Sequence, residues 1–594
     1  MIVQAGQINT TGLVVPGLIV QIVPPSWTLL NGVPTNILGI VGTATWGPVN
    51  SPTIASGVAD TSNQFGQMQP RKYDLGTVVA AAASQGGAAS LRLVRVTDGT
   101  DVAASSILKQ QAIATAIVHS GNAGTGYTVG DTITLPGGGV LTVATVNTGA
   151  VATVTITTPG AYTQATIPAN PVAQASSSGS GTGAKFDLTF TAGITFTGIY
   201  TGSLGNSLQV VIGTGSNSTV GAPTFKITVA LPGQVPEVFD NIGGTGNALY
   251  VAMAAAINSG NSPLRGPSRL VVATAGSSTG APALQTLTFA GGTDGATTIT
   301  SAVLIGVDTT PRTGMYALRG TKTSVAVLAD ADDSTQWTNQ VVYGLSEGTY
   351  MIAVSPAGDT ITNFASTIAT AGIDSYAIKV LLGDWIYIND NVNNLVRLIS
   401  PQGFIGGLLA NLTPNNSTLN KKIQGIIGTQ KSYANQQYSQ AELQALGLAR
   451  GDVIANPCPG GSYFGAQFGH NTSSNAVIHG DNYTRMTNYI AATLNGGMGI
   501  YVGQTITPTV MVNAKATLDS FFAALAQPSV AMPDGMINDW LVKLDKTNNP
   551  FTRTALGYMQ ADCQVQYQSI LEFFIVNLQG GQSVVIQRVG VQAV

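Results

Sequence analysis

The sequence predicts a multidomain protein of mixed α/β and α+β class: an α/β core with inserted all-β domains, followed by a C-terminal α/β domain. Three observations predict it. Strand, helix and strand signals alternate over residues 36–96 and again over residues 323–382, the pattern of an α/β unit. Residues 112–190 carry almost no helix signal, only short Val/Thr/Ile runs punctuated by Gly and Pro. Both chain ends are rich in β-forming residues, where termini are ordinarily polar and frayed. The expected partition is an N-terminal arm (1–25), a first part of the α/β domain (26–111), an all-β module (112–190), a second β-rich insertion (191–318), a second part of the α/β domain (319–480) and a C-terminal domain (481–594).

The arm, residues 2–23, has no charged side chain and is broken at Gly12, Pro16 and Gly17. Residues 36–42 then read as a short buried strand. Residues 74–84 are alanine-rich and helical, with Asp74 as N-cap and Gly86-Gly87 as the stop. Residues 90–96 form the next strand. Inside the all-β module the run at 176–183, with Gly179, Gly181 and Gly183, reads as a flexible loop. The second insertion contains one helix, near residues 247–258. The α/β pattern resumes with strands at 323–328 and 350–354 and helices at 334–347 and 360–370. Gly383-Asp384 is flanked by two β-rich runs and predicts a two-residue hairpin turn. Ser439 and Glu442 form a capping box, and helices are expected at 482–494 and 508–526.

At the end of the chain, residues 564–568 alternate apolar and polar, as a half-buried strand does. Residues 570–578 predict a strand covered on both faces, 579–582 a glycine turn, and 583–594 a last strand-like tail. That tail has two readings: an ordinary final strand in its own sheet, or a strand donated to a neighbouring subunit. The uncharged N-terminal arm favours donation. The residues expected to exchange are Val14, Val15, Leu18, Val20, Val584, Ile586, Val589 and Val591.

Charged residues are 9% of the chain and the net charge is −3. A typical soluble domain has about 25%, so the exterior must be built from uncharged polar residues and glycine, or be covered by neighbours. Without a basic field, direct nucleic-acid binding is excluded. The first basic residue is Arg71 and no apolar run reaches the ~18 residues of a span, so neither an export signal nor stable membrane insertion is expected. Cys458 and Cys563 are too few for a disulfide scaffold.

No enzyme, cofactor or metal centre is expected. His119, His470 and His479 lack a His-x-x-x-His or Cys-x-x-Cys pairing, and the polarity of a loop accounts for His470, His479 and Asp481 better than an acid/base pair does. There is no nucleophile elbow and no phosphate-binding loop. Asp330, Asp332 and Asp333 read as a solvated helix start rather than a cation site.

Residues 39–50, Gly-Ile-Val-Gly-Thr-Ala-Thr-Trp-Gly-Pro-Val-Asn, resemble the opening motif of the tail sheath proteins of contractile-tailed bacteriophages. The Pro16-Gly17-Leu18-Ile19-Val20 arm, the run Gly202-Ser203-Leu204-Gly205-Asn206-Ser207-Leu208, and the stretch from Arg397 through Gly407 agree with that family in order. The resemblance implies a structural subunit that stacks as hexameric rings wound helically around an inner tail tube. It also implies terminal arms that add strands to neighbouring subunits, a C-terminal domain facing the tube, and an outward-facing insertion at 112–190. Implied partners are further copies of the chain, the tube protein, and baseplate and tail terminator proteins. The implied location is the tail of the virion, after assembly in the host cytoplasm. Arg485, Lys515 and Asp519, on the two late helices, are candidate tube contacts. The sheath of a capsid-free contractile injection particle is the alternative of the same class. A polysaccharide-degrading tail spike is the alternative of another, but it needs a repeat period that the chain lacks.

Overall fold

The computed structural model of the chain describes residues 2–3, 20–21, 30–162, 166–263, 265–529 and 533–582. Its centre is set by the strands Ile37–Gly42, Val325–Leu328 and Tyr350–Val354, which are apolar or nearly so and buried at every position. Such runs belong in a parallel sheet covered on both faces. The observed sheet has six strands, in the spatial order Ile378–Leu381, Tyr350–Val354, Val325–Leu328, Ile37–Gly42, Ser90–Arg95, Thr53–Ala55. All neighbours are parallel except the edge strand Thr53–Ala55. Because Ile40 pairs with both Val327 and Leu93, segments nearly 300 residues apart share one sheet.

Helix Leu75–Ser84 starts at Asp74, whose carboxylate accepts from Thr77 N–H. It packs on helix Gln402–Asn411, in which Gln402 to Ala410 are all buried. The approach is close enough to demand glycine: a Cβ on Gly407 would stand 2.4 Å from Ala82 Cα, and one on Gly87 1.9 Å from the Gly407 carbonyl oxygen. The turn before that helix is fixed by Arg397, which donates to Asp390 and Thr77, and by Gln402, which donates to the Ile352 carbonyl.

Beyond the sheet, the strands Ser105–Thr125 and Thr182–Gly198 pair antiparallel along almost their whole length. Each serves two separate apolar clusters. The distal one gathers Ile113, Tyr127, Leu141 and Phe186; the proximal one gathers Trp46, Leu108, Phe196, Val210, Phe239 and Met253. The boundary expected at residue 190 therefore falls inside a strand. The joint to the core is made where two sequence runs meet: Leu204 N–H donates to the Thr45 carbonyl, and the buried Arg95 guanidinium donates to the carbonyls of Gly47, Thr201 and Asp294.

Two expectations are corrected. Gly383-Asp384 is not a hairpin turn: Ile378–Leu381 stays in the six-stranded sheet, whereas Ile386–Asp390 pairs with Leu395–Ile399 in a second sheet. Gly383 is required because a Cβ there would lie 1.8 Å from the Pro356 carbonyl oxygen. Asp384 accepts from Lys431 N–H and from the Tyr438 hydroxyl. Residues 570–578, expected as a strand covered on both faces, are neither a strand nor covered.

Candidate assembly site at the C-terminal end

Helices Asp481–Gly497 and Pro508–Ala526 carry apolar stripes that meet in a cluster of Met486, Ile490, Leu518, Phe521, Phe522 and Leu525. Thr507 caps the second helix, and Pro508 occupies its first turn, where a missing N–H costs nothing. Over the cluster lies an antiparallel ribbon, Ile537–Lys543 paired with Asp562–Tyr567. Among the described residues this sheet has only those two strands, so both outer edges present unpaired backbone groups.

The unit is bolted to the core through buried charge. Lys379, in the last strand of the central sheet, has its Nζ 2.8 Å from Asp452 and 3.0 Å from Asp481, all three side chains being fully buried. Asp481 opens the first late helix and also accepts from Thr418 and from the Tyr350 hydroxyl. Burial alone would push the Asp481 carboxyl up; Lys379 and the hydrogen bonds outweigh it and hold it down at about 2. Burial likewise works against the Lys379 ammonium, and the two carboxylates reverse that, raising its pKa.

After Tyr567 the chain leaves the ribbon. Gln568 anchors it, donating to the carbonyls of Asp534 and Gly535 and accepting from Asn482 at its own carbonyl. Among the described residues Glu572 makes the last polar contact, between His470 and His479. From there Phe573 (81% exposed), Phe574 (80%), Ile575 (82%) and Leu578 (90%) stand in solvent. Burying such a side chain is worth roughly 1.5–3 kcal/mol, so about 10 kcal/mol of burial is left unused. Ordering the segment costs a similar amount in backbone entropy. An open sheet edge would offer such a segment backbone pairing in addition to apolar contact.

Of the expected exchange residues, Val14, Val15, Leu18, Val584, Ile586, Val589 and Val591 lie outside the described residues. The backbone of Val20 pairs in parallel with Ile2. Arg485 is buried, 4% exposed, and donates to the carbonyls of Thr413 and Thr35. Lys515 and Asp519 form a surface pair one helical turn apart. The Asp330 group separates into three roles. Asp330 is buried and accepts from Tyr73 and Ser400, Asp332 pairs with Lys72, and Asp333 caps a short helical turn. His119 faces Asp187 across the long strands. The meeting of His470, His479 and Glu572 was not legible, since Glu572 is 102 residues from His470 and no spacing rule joins them.

No protein-family model and no curated protein matches the chain. Among solved structures, it is similar to a sheath tail protein from Desulfitobacterium hafniense (12% identity, TM-score 0.46, covering 88% of this chain and 93% of that one). It is also similar to a sheath tail protein from Listeria innocua (11% identity, TM-score 0.48, 87% and 90%). A third similarity is to the contracted sheath of an extracellular contractile injection system (13% identity, TM-score 0.35, 44% and 71%).

Proposed function

We propose that the chain is the structural, non-catalytic subunit of a contractile tail sheath. It polymerises helically around an inner tail tube and contracts to drive that tube through a cell envelope. One observation carries the reading: an apolar segment, residues 573–578, runs exposed from a ribbon that has two strands and open outer edges among the described residues. A segment and an edge of this kind on every copy are complementary, and their contact is head-to-tail, the kind that builds rings or helical filaments. The low charge of the chain fits a surface that neighbouring copies cover.

In this reading the arms tether subunits while their α/β bodies rotate as rigid units, and contraction is driven by newly buried subunit surface. At about 25 cal/mol per Å², a few hundred Å² of apolar area per subunit supplies several kcal/mol without a nucleotide. The tube protein binds on the C-terminal side, where Lys515 and Asp519 are accessible, and baseplate and terminator proteins close the two ends. The assembled location is the tail of a virion.

The test is truncation. Deleting residues 573–594 keeps Gln568 and Glu572 and is expected to leave the thermal midpoint of the monomer unchanged while abolishing tubes in negative-stain micrographs. Normal tubes from the truncated chain would refute arm exchange.

A further inference from the structure

His470 and His479 belong to a loop closed at its neck. Asn471 N–H donates to the His479 carbonyl at 2.7 Å and Asp481 N–H to the Gly469 carbonyl at 3.0 Å. Across the loop, the Asn471 side chain donates to the Ile478 carbonyl at 2.8 Å and to Thr484 Oγ1 at 3.0 Å. This frame sets the two imidazoles side by side, with centroids 3.8 Å apart. Glu572, arriving from the root of the arm, places one carboxylate oxygen 3.0 Å from His470 Nε2 and 3.5 Å from His479 Nε2. All three groups are partly exposed, so an ion can reach them.

We infer that His470, His479 and Glu572 form a site for one divalent transition ion of the zinc class, which fastens the root of the C-terminal arm to the α/β core. Two imidazoles and one carboxylate are a donor set that suits Zn²⁺, whereas Mg²⁺ and Ca²⁺ require oxygen ligands throughout. The three ligand atoms lie within 4.8 Å of one another. Around a tetrahedral ion with bonds of roughly 2.0–2.2 Å they stand roughly 3.5 Å apart. The rings are tilted by 30°. They must open from that stack for both lone pairs to meet one ion, a rotation about the soft χ2 torsion. The fourth position stays open to water. The site stands whether or not the arm pairs with another copy, because all three ligands come from one chain.

The experiment uses the full-length chain, stripped with EDTA and held monomeric. Titration with Zn²⁺ by calorimetry is expected to give one ion per chain, and Co²⁺ in its place visible d–d bands. The variants His470→Gln and Glu572→Gln each weaken binding at least ten-fold, the double variant His470→Gln/His479→Gln abolishes it, and His119→Gln leaves it unchanged. All variants keep the wild-type thermal midpoint in EDTA. Zn²⁺ also slows cleavage of the wild-type chain at Phe573 by a chymotrypsin-type protease, and slows it less in Glu572→Gln. Absence of binding at micromolar Zn²⁺, or equal affinity in the double variant, overturns the site. Equal affinity in Glu572→Gln overturns the fastening of the arm. Since none of these readings involves tubes, failure here and failure of the sheath reading are separate results.

Discussion

The central sheet and the C-terminal ribbon are both built from short β-segments, yet they end in opposite conditions. In the sheet, Ile37–Gly42, Val325–Leu328 and Tyr350–Val354 are buried on both faces and paired on both edges. In the ribbon, Ile537–Lys543 and Asp562–Tyr567 pair only with each other among the described residues, and the segment 573–578 that follows leaves its apolar side chains in water. A six-stranded sheet is self-sufficient; a two-stranded one depends on whatever it packs against. One region is paired and covered within the chain, whereas the other leaves large apolar side chains exposed.

The largest way to break that contrast is at the bolt between the two regions. Lys379→Met leaves Asp452 and Asp481 buried without their cation and should cost roughly 3–5 kcal/mol, read by urea denaturation. A loss below 1 kcal/mol would mean that the regions are not coupled through this group. Next, Gly407→Ala drives a methyl into helix Leu75–Ser84 and should cost roughly 1–3 kcal/mol. Because this contact lies inside the core, the ribbon should respond only through global unfolding. The third test sharpens the comparison by pH. The Asp481 carboxyl is held at about 2, below its ordinary 3.8. A depressed carboxyl contributes stability that is complete above pH 4 and is lost as pH falls towards 2. The stability gap between wild type and Asp481→Asn should shrink across that window. The smallest effect is expected at the surface pair: Lys515→Ala should change monomer stability by no more than about 0.5 kcal/mol, measured by thermal melting.

Features fixed by neighbours in the chain were legible in the sequence. The Asp74 cap, the Ser439–Glu442 box and Pro508 at its helix start are local arrangements, and each is found where the pattern puts it. Features fixed by distant parts of the chain were not. Gly383 looked like a turn glycine because its true constraint, the Pro356 carbonyl, is absent from its immediate sequence. Lys379 is one cation in an apolar strand, and nothing nearby announces Asp452 or Asp481. The edge strand Thr53–Ala55 and helix Gly57–Phe65 carry little local signal, the strand being three residues long and the helix having a side-chain cap at neither end. The apolar character of residues 570–578 is plain in the sequence, but hydropathy reports a need for cover without saying what provides it.

The pair of long strands has a mechanical corollary. At roughly 3.3 Å per residue, the 21-residue strand Ser105–Thr125 is a mast of about 70 Å, footed beside Trp46 and carrying the distal cluster near its top. Lys109 lies opposite Ala192 in register, so the mast can be sawn there and rejoined with a two-residue Asn-Gly turn without touching its footing. The distal cluster is thus expected to be removable with the base left folded.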